Sequence, residues 1–78
     1  MRTTIEQYII DRVREIRTKK NISQSAIAYG LGFESTAYVG KIESSKSGNT
    51  DVYNINHLNE IARILDCSPK DFWPQNPV

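Results

Sequence analysis

Cysteine, histidine and long apolar runs are the scarcest features of this 78-residue chain. It has one cysteine, Cys67, so no internal disulfide can form. Together with the single histidine, His57, that cysteine is too little to build the usual Cys/His metal site. No apolar run approaches the roughly 18 residues that span a bilayer, and the first residues lack the apolar stretch of a signal peptide. We therefore expect a cytoplasmic protein with no membrane segment, metal or cofactor.

The groups from which an enzyme site is usually built are also missing. Ser23 and Ser35 have no recognisable base and orienting residue around them, and no Gly-rich loop resembles a phosphate cradle. A chain this short buries only about 60% of its unfolded surface, which leaves little room for a substrate cleft. These absences predict a binding protein rather than an enzyme, with no small-molecule ligand.

Charge of one sign is not in excess, because ten Lys and Arg residues stand against nine Asp and Glu residues. The distribution is uneven: residues 1–20 carry a net charge of +3, whereas residues 51–78 carry −2. This asymmetry favours a phosphate-binding face at one end of the domain. A solvated helix face explains the same charges equally well.

Five segments have apolar residues at helical spacing, and none alternates with the period of a strand. The first runs from about Thr4 to Lys20, and the last begins at Pro69 after the N-cap Ser68. The inward positions of the first helix are Ile5, Ile9, Val13 and Ile16, and those of the fourth, after the N-cap Asn54, are Ile55, Leu58, Ile61, Ala62 and Leu65. The chain is predicted to be one all-α domain at residues 3–74 with a short flexible tail at residues 75–78.

Two short helices joined by a turn that contains glycine form the middle of the chain. Ser23 is a good N-cap for helix 2, and Gly32 supplies the left-handed turn that ends it. Helix 3 runs from about Thr36 to Ser44, and its Gly40 costs about 0.5–1 kcal/mol relative to alanine. We therefore expect helix 2 or a nucleic-acid backbone to approach Gly40 closely. Two helices connected in this way are typical of a helix-turn-helix.

Three motifs occur in order along this region: Ile22-Ser23-Gln24-Ser25-Ala26-Ile27-Ala28, Leu31-Gly32-Phe33, and Tyr38-Val39-Gly40-Lys41-Ile42-Glu43. In that order they resemble the Cro/repressor (XRE-type) helix-turn-helix family. Ile16-Arg17 and the segment from Leu58 to Ser68 extend the resemblance over residues 5–73. The chain has one residue more than the commonest family spacing before Ile42-Glu43, and a longer loop from Ser44 to Tyr53. The resemblance implies a five-helix lambda-repressor-like domain in which helices 2 and 3 form the helix-turn-helix.

The resemblance also implies a sequence-specific regulator of transcription, a repressor, that places helix 3 in the major groove of double-stranded DNA. It implies that Arg17 and Glu43 form a structural salt bridge. Gln24 is expected either to contact a phosphate or to brace helix 3. Instead of contacting DNA, Tyr38 could pack on the domain and Lys41 could be a solvated surface lysine. The DNA-contacting residues that the resemblance implies are Ser23, Gln24, Ser35, Thr36, Ala37, Tyr38, Lys41 and Lys46.

A homodimer is expected at least on DNA, because one helix-turn-helix covers few base pairs and dimers engage half-sites about 34–36 Å apart. Candidate residues for its contact surface are Ile10, Phe72, Trp73 and Val78, although a small core can absorb the first three. The alternative function is a protein-interaction module, such as an antitoxin that binds a toxin or another regulator. The near-neutral net charge favours that alternative, and DNA binding is favoured if one basic face collects Arg17, Lys19, Lys20, Lys41 and Lys46.

Overall fold

Four α-helices and one 3-10 segment form the fold in the computed structural model, which describes residues 1–44, 46 and 48–78. The elements are α1 (Thr4–Lys19), α2 (Gln24–Gly30), α3 (Ala37–Glu43), α4 (Ile55–Ile64) and the 3-10 turn (Pro69–Phe72). Over these residues the structure contains no strand, which confirms the predicted all-α class.

The predicted fifth helix is a single 3-10 turn, so the described chain has four α-helices rather than five. Ser68 and Asp71 form the capping box at its start, as the Ser-Pro-x-Asp spacing favours. Pro74 follows two residues after Phe72, and a proline disfavours helical backbone at the residue before it. The residues that favour the start of a helix are therefore followed within one turn by a proline that prevents its continuation.

The ends of the α-helices lie within one or two residues of the predicted ones. Ser23 Oγ accepts a hydrogen bond from the Ala26 amide at 3.0 Å, and Asn54 Oδ1 accepts one from the His57 amide at 2.8 Å. Gly32 has φ +92°, which confirms the left-handed turn after α2. Helix α3 is one residue shorter at each end than predicted, because Thr36 is its N-cap and Ser44 already has extended backbone.

One apolar core joins all five elements. It consists of Ile9, Ile10, Val13, Ile27, Ala28, Val39, Ile42, Tyr53, Leu58, Ile61, Ala62, Leu65 and Phe72. Ile10 and Phe72, which were candidates for a dimer surface, are 3% and 0% exposed and belong to this core. Ile55 was predicted to face inward but is 73% exposed, because it stands at the edge of the apolar stripe in the first turn of α4.

Helix α2 packs against both α3 and α4. Ala28 is fully buried, and a Cβ atom built on Gly30 would lie 2.6 Å from Ile64 Cδ1. The missing side chain of Gly30 therefore lets Ile64 of α4 pack close against α2. Among the described helices, none is both long and apolar enough to span a membrane.

Candidate functional site

The C-terminal end of α3 is held by a buried ion pair. Arg17 of α1 donates from Nε to Glu43 Oε2 at 2.9 Å and from Nη2 to Glu43 Oε1 at 2.6 Å. Its Nη1 also donates to the Ile22 carbonyl oxygen at 3.0 Å, next to the start of α2. The two side chains are only 11% and 3% exposed, and the hydrogen bond to Glu43 raises the pKa of Arg17 above its ordinary value. This fork-to-carboxylate geometry ties α1, α2 and α3 together.

Gln24, in the first turn of α2, braces α3 in this structure. Its Nε2 donates to Glu43 Oε1 at 3.0 Å, so the amide is engaged inside the domain. A Cβ atom built on Gly40 would lie 3.4 Å from Gln24 Oε1. Gly40 was expected to lie close to helix 2 or to a nucleic-acid backbone, and in the structure Gln24 of α2 lies close to it.

The side chains at the start of α3 are small and mostly polar. Ser35 Oγ accepts a hydrogen bond from the Ala37 amide at 3.3 Å, and both residues are exposed. Thr36, the half-buried N-cap, makes no side-chain cap hydrogen bond. Ser23, at the start of α2, is likewise exposed. These predicted contact residues therefore lie at the surface without large side chains.

Tyr38 packs on the domain rather than projecting from it. Its ring stacks on Phe33 with centroids 4.7 Å apart and meets the edge of His57 at 5.0 Å. Its hydroxyl lies 2.7 Å from His57 Nδ1, and burial raises the pKa of Tyr38. This packing, the alternative that the sequence offered to a DNA contact, links α3 to α4. His57 is half-buried in this cluster.

Tyr53 belongs to the same aromatic group and was not singled out by its sequence context. Its ring meets that of Tyr38 at 6.0 Å, and the residue is 7% exposed. The buried hydroxyl has no hydrogen-bond partner among the described residues. Burial and the nearby Glu43 carboxylate raise the pKa of Tyr53 well above its ordinary value. No local pattern predicts this, because the residue follows a polar segment.

Lys41 and Lys46 are exposed and line one shallow groove with Gly40 and Asp51. Lys46 also lines a second groove along α1, together with Arg14. The Arg14 side chain is 61% exposed, and its Nε lies 4.0 Å from Glu43 Oε1. Arg14 was not among the predicted contact residues, yet it stands beside the predicted ones.

The five residues proposed for one basic face do not share a surface. Arg17 is buried against Glu43, and Lys20 Nζ donates to the carbonyl oxygens of Leu65 and Asp66 at the end of α4. Lys19 lines a groove with Lys20 that lies between α1 and the 3-10 turn. The exposed positive charges next to α3 are therefore Lys41, Lys46 and Arg14.

Arg2 is a further residue that the sequence did not reveal. Its Nε donates to the Asp51 carbonyl oxygen at 2.9 Å, and its Nη2 donates to the Ile42 carbonyl oxygen at 2.6 Å. Its Nη1 donates to Gln7 Oε1 at 3.1 Å. These partners lie up to 49 positions away in the chain, so no motif marks the contact.

Comparisons with protein-family models, with curated proteins and with solved structures find no match for this chain. Its function is therefore inferred from its residues and their geometry.

Proposed function

We propose that this protein is a sequence-specific DNA-binding regulator of transcription, with α2 and α3 acting as a helix-turn-helix of the Cro/repressor type. The observation that carries the proposal is the two-sided character of α3. Val39 and Ile42 are buried on one side, and the spacing of Ala37, Gly40 and Lys41 puts them together on the opposite side. That outer side combines two small residues with a cation.

A slim, cationic helix face has the shape and charge that the major groove of DNA accepts. The groove is about 12 Å wide, so small side chains let the helix approach the base edges. Lys41 and Lys46, exposed beside it, can neutralise phosphates, which is the usual source of affinity. Ser35 and Thr36 at the start of α3 offer hydroxyl groups to base edges or phosphates.

The bracing of α3 also supports this proposal. A reading helix needs a fixed orientation, since base contacts depend on hydrogen-bond geometry. Arg17, Gln24 and Glu43 supply that orientation from the inner side, and none of them needs to touch DNA. On this proposal the four helices and the 3-10 turn form a lambda-repressor-like domain with a binding rather than a catalytic role.

The test is the salt dependence of binding to mixed duplex DNA. The logarithm of the binding constant should fall with the logarithm of salt concentration by about 0.9 per phosphate neutralised. We expect a slope of several units, reduced by about 0.9 in Lys41→Ala. The matched control is Lys70→Ala, because Lys70 is also exposed but lies on the 3-10 turn, which packs on α1 and α4 and does not contact α3.

A second function, that of a protein-interaction module such as an antitoxin, is favoured by two observations. The basic residues are divided between two surfaces, and the net charge is only +1. Trp73 and Val78 are 41% and 61% exposed, and both line a groove with Ile5. Absence of binding to duplex DNA at about 50 mM salt, where electrostatic attraction is strong, would reject the DNA proposal and favour this one.

A further inference from the structure

The guanidinium group of Arg2 bridges the two ends of the segment that follows α3. Ile42 is the next-to-last residue of α3, and Asp51 lies nine positions further along the chain. Arg2 binds the backbone carbonyl oxygens of both residues, at 2.6 and 2.9 Å. One side chain thus links Ile42 to Asp51.

Arg2 and Asn49 each bind one carbonyl group that α3 leaves without a partner at its C-terminal end. The last four carbonyl groups of an α-helix have no partner within the helix. Arg2 Nη2 donates a hydrogen bond to the Ile42 carbonyl oxygen, and Asn49 Nδ2 donates one to the Lys41 carbonyl oxygen at 2.8 Å. Asn49 Nδ2 also binds the Ser44 carbonyl oxygen at 3.0 Å, and Asn49 Oδ1 accepts from the Asp51 amide at 3.0 Å. Two side chains therefore fold the described part of this segment against the end of α3.

Lys46 lies in this segment, and it lines the same groove as Arg2 and Arg14. Its exposed ammonium group is the cation whose position depends most on how the segment is held. All three nitrogen atoms of the Arg2 guanidinium group already donate to Asp51, Ile42 and Gln7. Three of its five N–H donors are thus engaged within the domain.

We propose that Arg2 is a positioning residue for DNA binding: by bridging Ile42 and Asp51 it holds the segment that carries Lys46 in the place where Lys46 meets a phosphate. This inference rests on the proposed DNA-binding function. It assigns to a residue outside the helix-turn-helix the control of one phosphate contact.

The first arm of the test is amide hydrogen exchange and needs no DNA. In Arg2→Ala we expect the exchange of the Asn49 and Asp51 amides to rise about tenfold, with little change in α1 and α4. The matched control is Arg12→Ala, which removes the same charge and a similar bond, from Arg12 Nε to the Asp71 carbonyl oxygen at 3.1 Å. The control should leave both amides unchanged.

The second arm compares Arg2→Ala, Lys46→Ala and the double variant in DNA binding over a range of salt. If Arg2 acts through Lys46, each single variant loses the same phosphate contact, and the slope falls by up to about 0.9 in each. At about 0.1 M salt that loss weakens binding about eightfold. The double variant should then bind no more weakly than Lys46→Ala. Arg2→Lys should not restore binding, because an ammonium group keeps the charge but not the planar fork.

Three results would overturn the inference. Additive losses, with a slope reduced by about 1.8 in the double variant, would mean that Arg2 binds its own phosphate. Restoration of binding by Arg2→Lys would mean the same. Faster exchange with unchanged DNA affinity would leave Arg2 as a purely structural clamp. If the unsubstituted protein does not bind DNA, the proposed function fails, and the exchange arm still shows whether Arg2 holds the segment.

Discussion

Glu43 is enclosed between three helices, and its carboxylate accepts hydrogen bonds from Arg17 and Gln24. Removing the carboxylate leaves the Arg17 guanidinium group buried without a counter-charge. We expect Glu43→Ala to lower the free energy of unfolding by about 3–5 kcal/mol, measured by urea denaturation.

Glu15→Ala is the matched control for this prediction. Glu15 also accepts a hydrogen bond from an arginine, Arg12, at 2.9 Å, but its side chain is 54% exposed. Exposed pairs contribute about 0–1 kcal/mol, so the control should lose little stability. Equal small losses in the two variants would contradict the structural role assigned to Glu43.

Tyr53 gives the protein a sensitivity to alkaline pH. Because burial raises the pKa of its hydroxyl in the folded state, the unfolded state ionises first, near its ordinary value of about 10. The contribution of Tyr53 to the free energy of unfolding is therefore fully present below about pH 10. Above that pH it falls by up to about 1.4 kcal/mol per pH unit. Urea denaturation between pH 8 and 11 should show a shallower decline in Tyr53→Phe.

At neutral pH Tyr53→Phe should keep or slightly raise the stability, since the buried hydroxyl that it removes has no partner among the described residues. Tyr29→Phe is the control, because Tyr29 is 58% exposed and should leave the alkaline decline unchanged. A large loss of stability at pH 7 in Tyr53→Phe would show that the hydroxyl is paired after all.

At the scale of the element, α3 combines poor intrinsic stability with a useful surface. Its glycine at position 40 costs about 0.5–1 kcal/mol relative to alanine, and the room for a Cβ atom is adequate, at 3.4 Å from Gln24 Oε1. We expect Gly40→Ala to stabilise the fold by about 0.5 kcal/mol in urea denaturation. In the same variant the added methyl group should weaken DNA binding by about 1 kcal/mol, because it crowds a close-fitting face.

Gly32→Ala provides the contrast within the same helix-turn-helix. The backbone of Gly32 has φ +92°, a conformation that alanine adopts only with strain. In that variant the free energy of unfolding should fall by about 1 kcal/mol or more. The DNA affinity of its folded fraction should stay unchanged. If Gly40→Ala binds DNA as well as the unsubstituted protein does, the outer side of α3 is not the DNA-binding face.

At the scale of the whole molecule, one groove brings two exposed apolar residues together. Trp73 and Val78 flank the groove that Ile5 of α1 also lines. With Ile10 and Phe72 in the core, these are the remaining candidates for the proposed homodimer surface. We expect Trp73→Ala to reduce the number of protomers per DNA site from two to one, measured by sedimentation of the complex.

Tyr29→Ala is the control for that experiment, since Tyr29 is also an exposed aromatic residue but belongs to α2. An unchanged stoichiometry in Trp73→Ala would exclude this surface from the dimer contact. Because Trp73 is only 41% exposed, its removal also costs the monomer some stability, which urea denaturation measures separately.

Local signals in the sequence were sufficient to predict most of the secondary structure. The caps Ser23, Asn54 and Ser68 and the turn at Gly32 stand where their residue types predict, because these interactions act over four residues or fewer. The apolar spacing predicted the buried faces as well, since a helical period determines which residues share a side. The exception at Ile55 lies at the edge of such a face.

The destinations of the long polar side chains were decided by the tertiary structure. Lys20 was one of five candidates for a shared basic face and binds the end of α4, and Arg2 binds Ile42 and Asp51. Tyr38, for which packing on the domain was the alternative to a DNA contact, stacks on Phe33. Such side chains reach several partners from one backbone position, and the partners here lie between 5 and 49 residues away in the chain. By itself the sequence determines where each helix begins and ends and which of its faces is buried, because those interactions are local. Only the folded arrangement decides which charges remain free to bind, because that depends on distances across the chain.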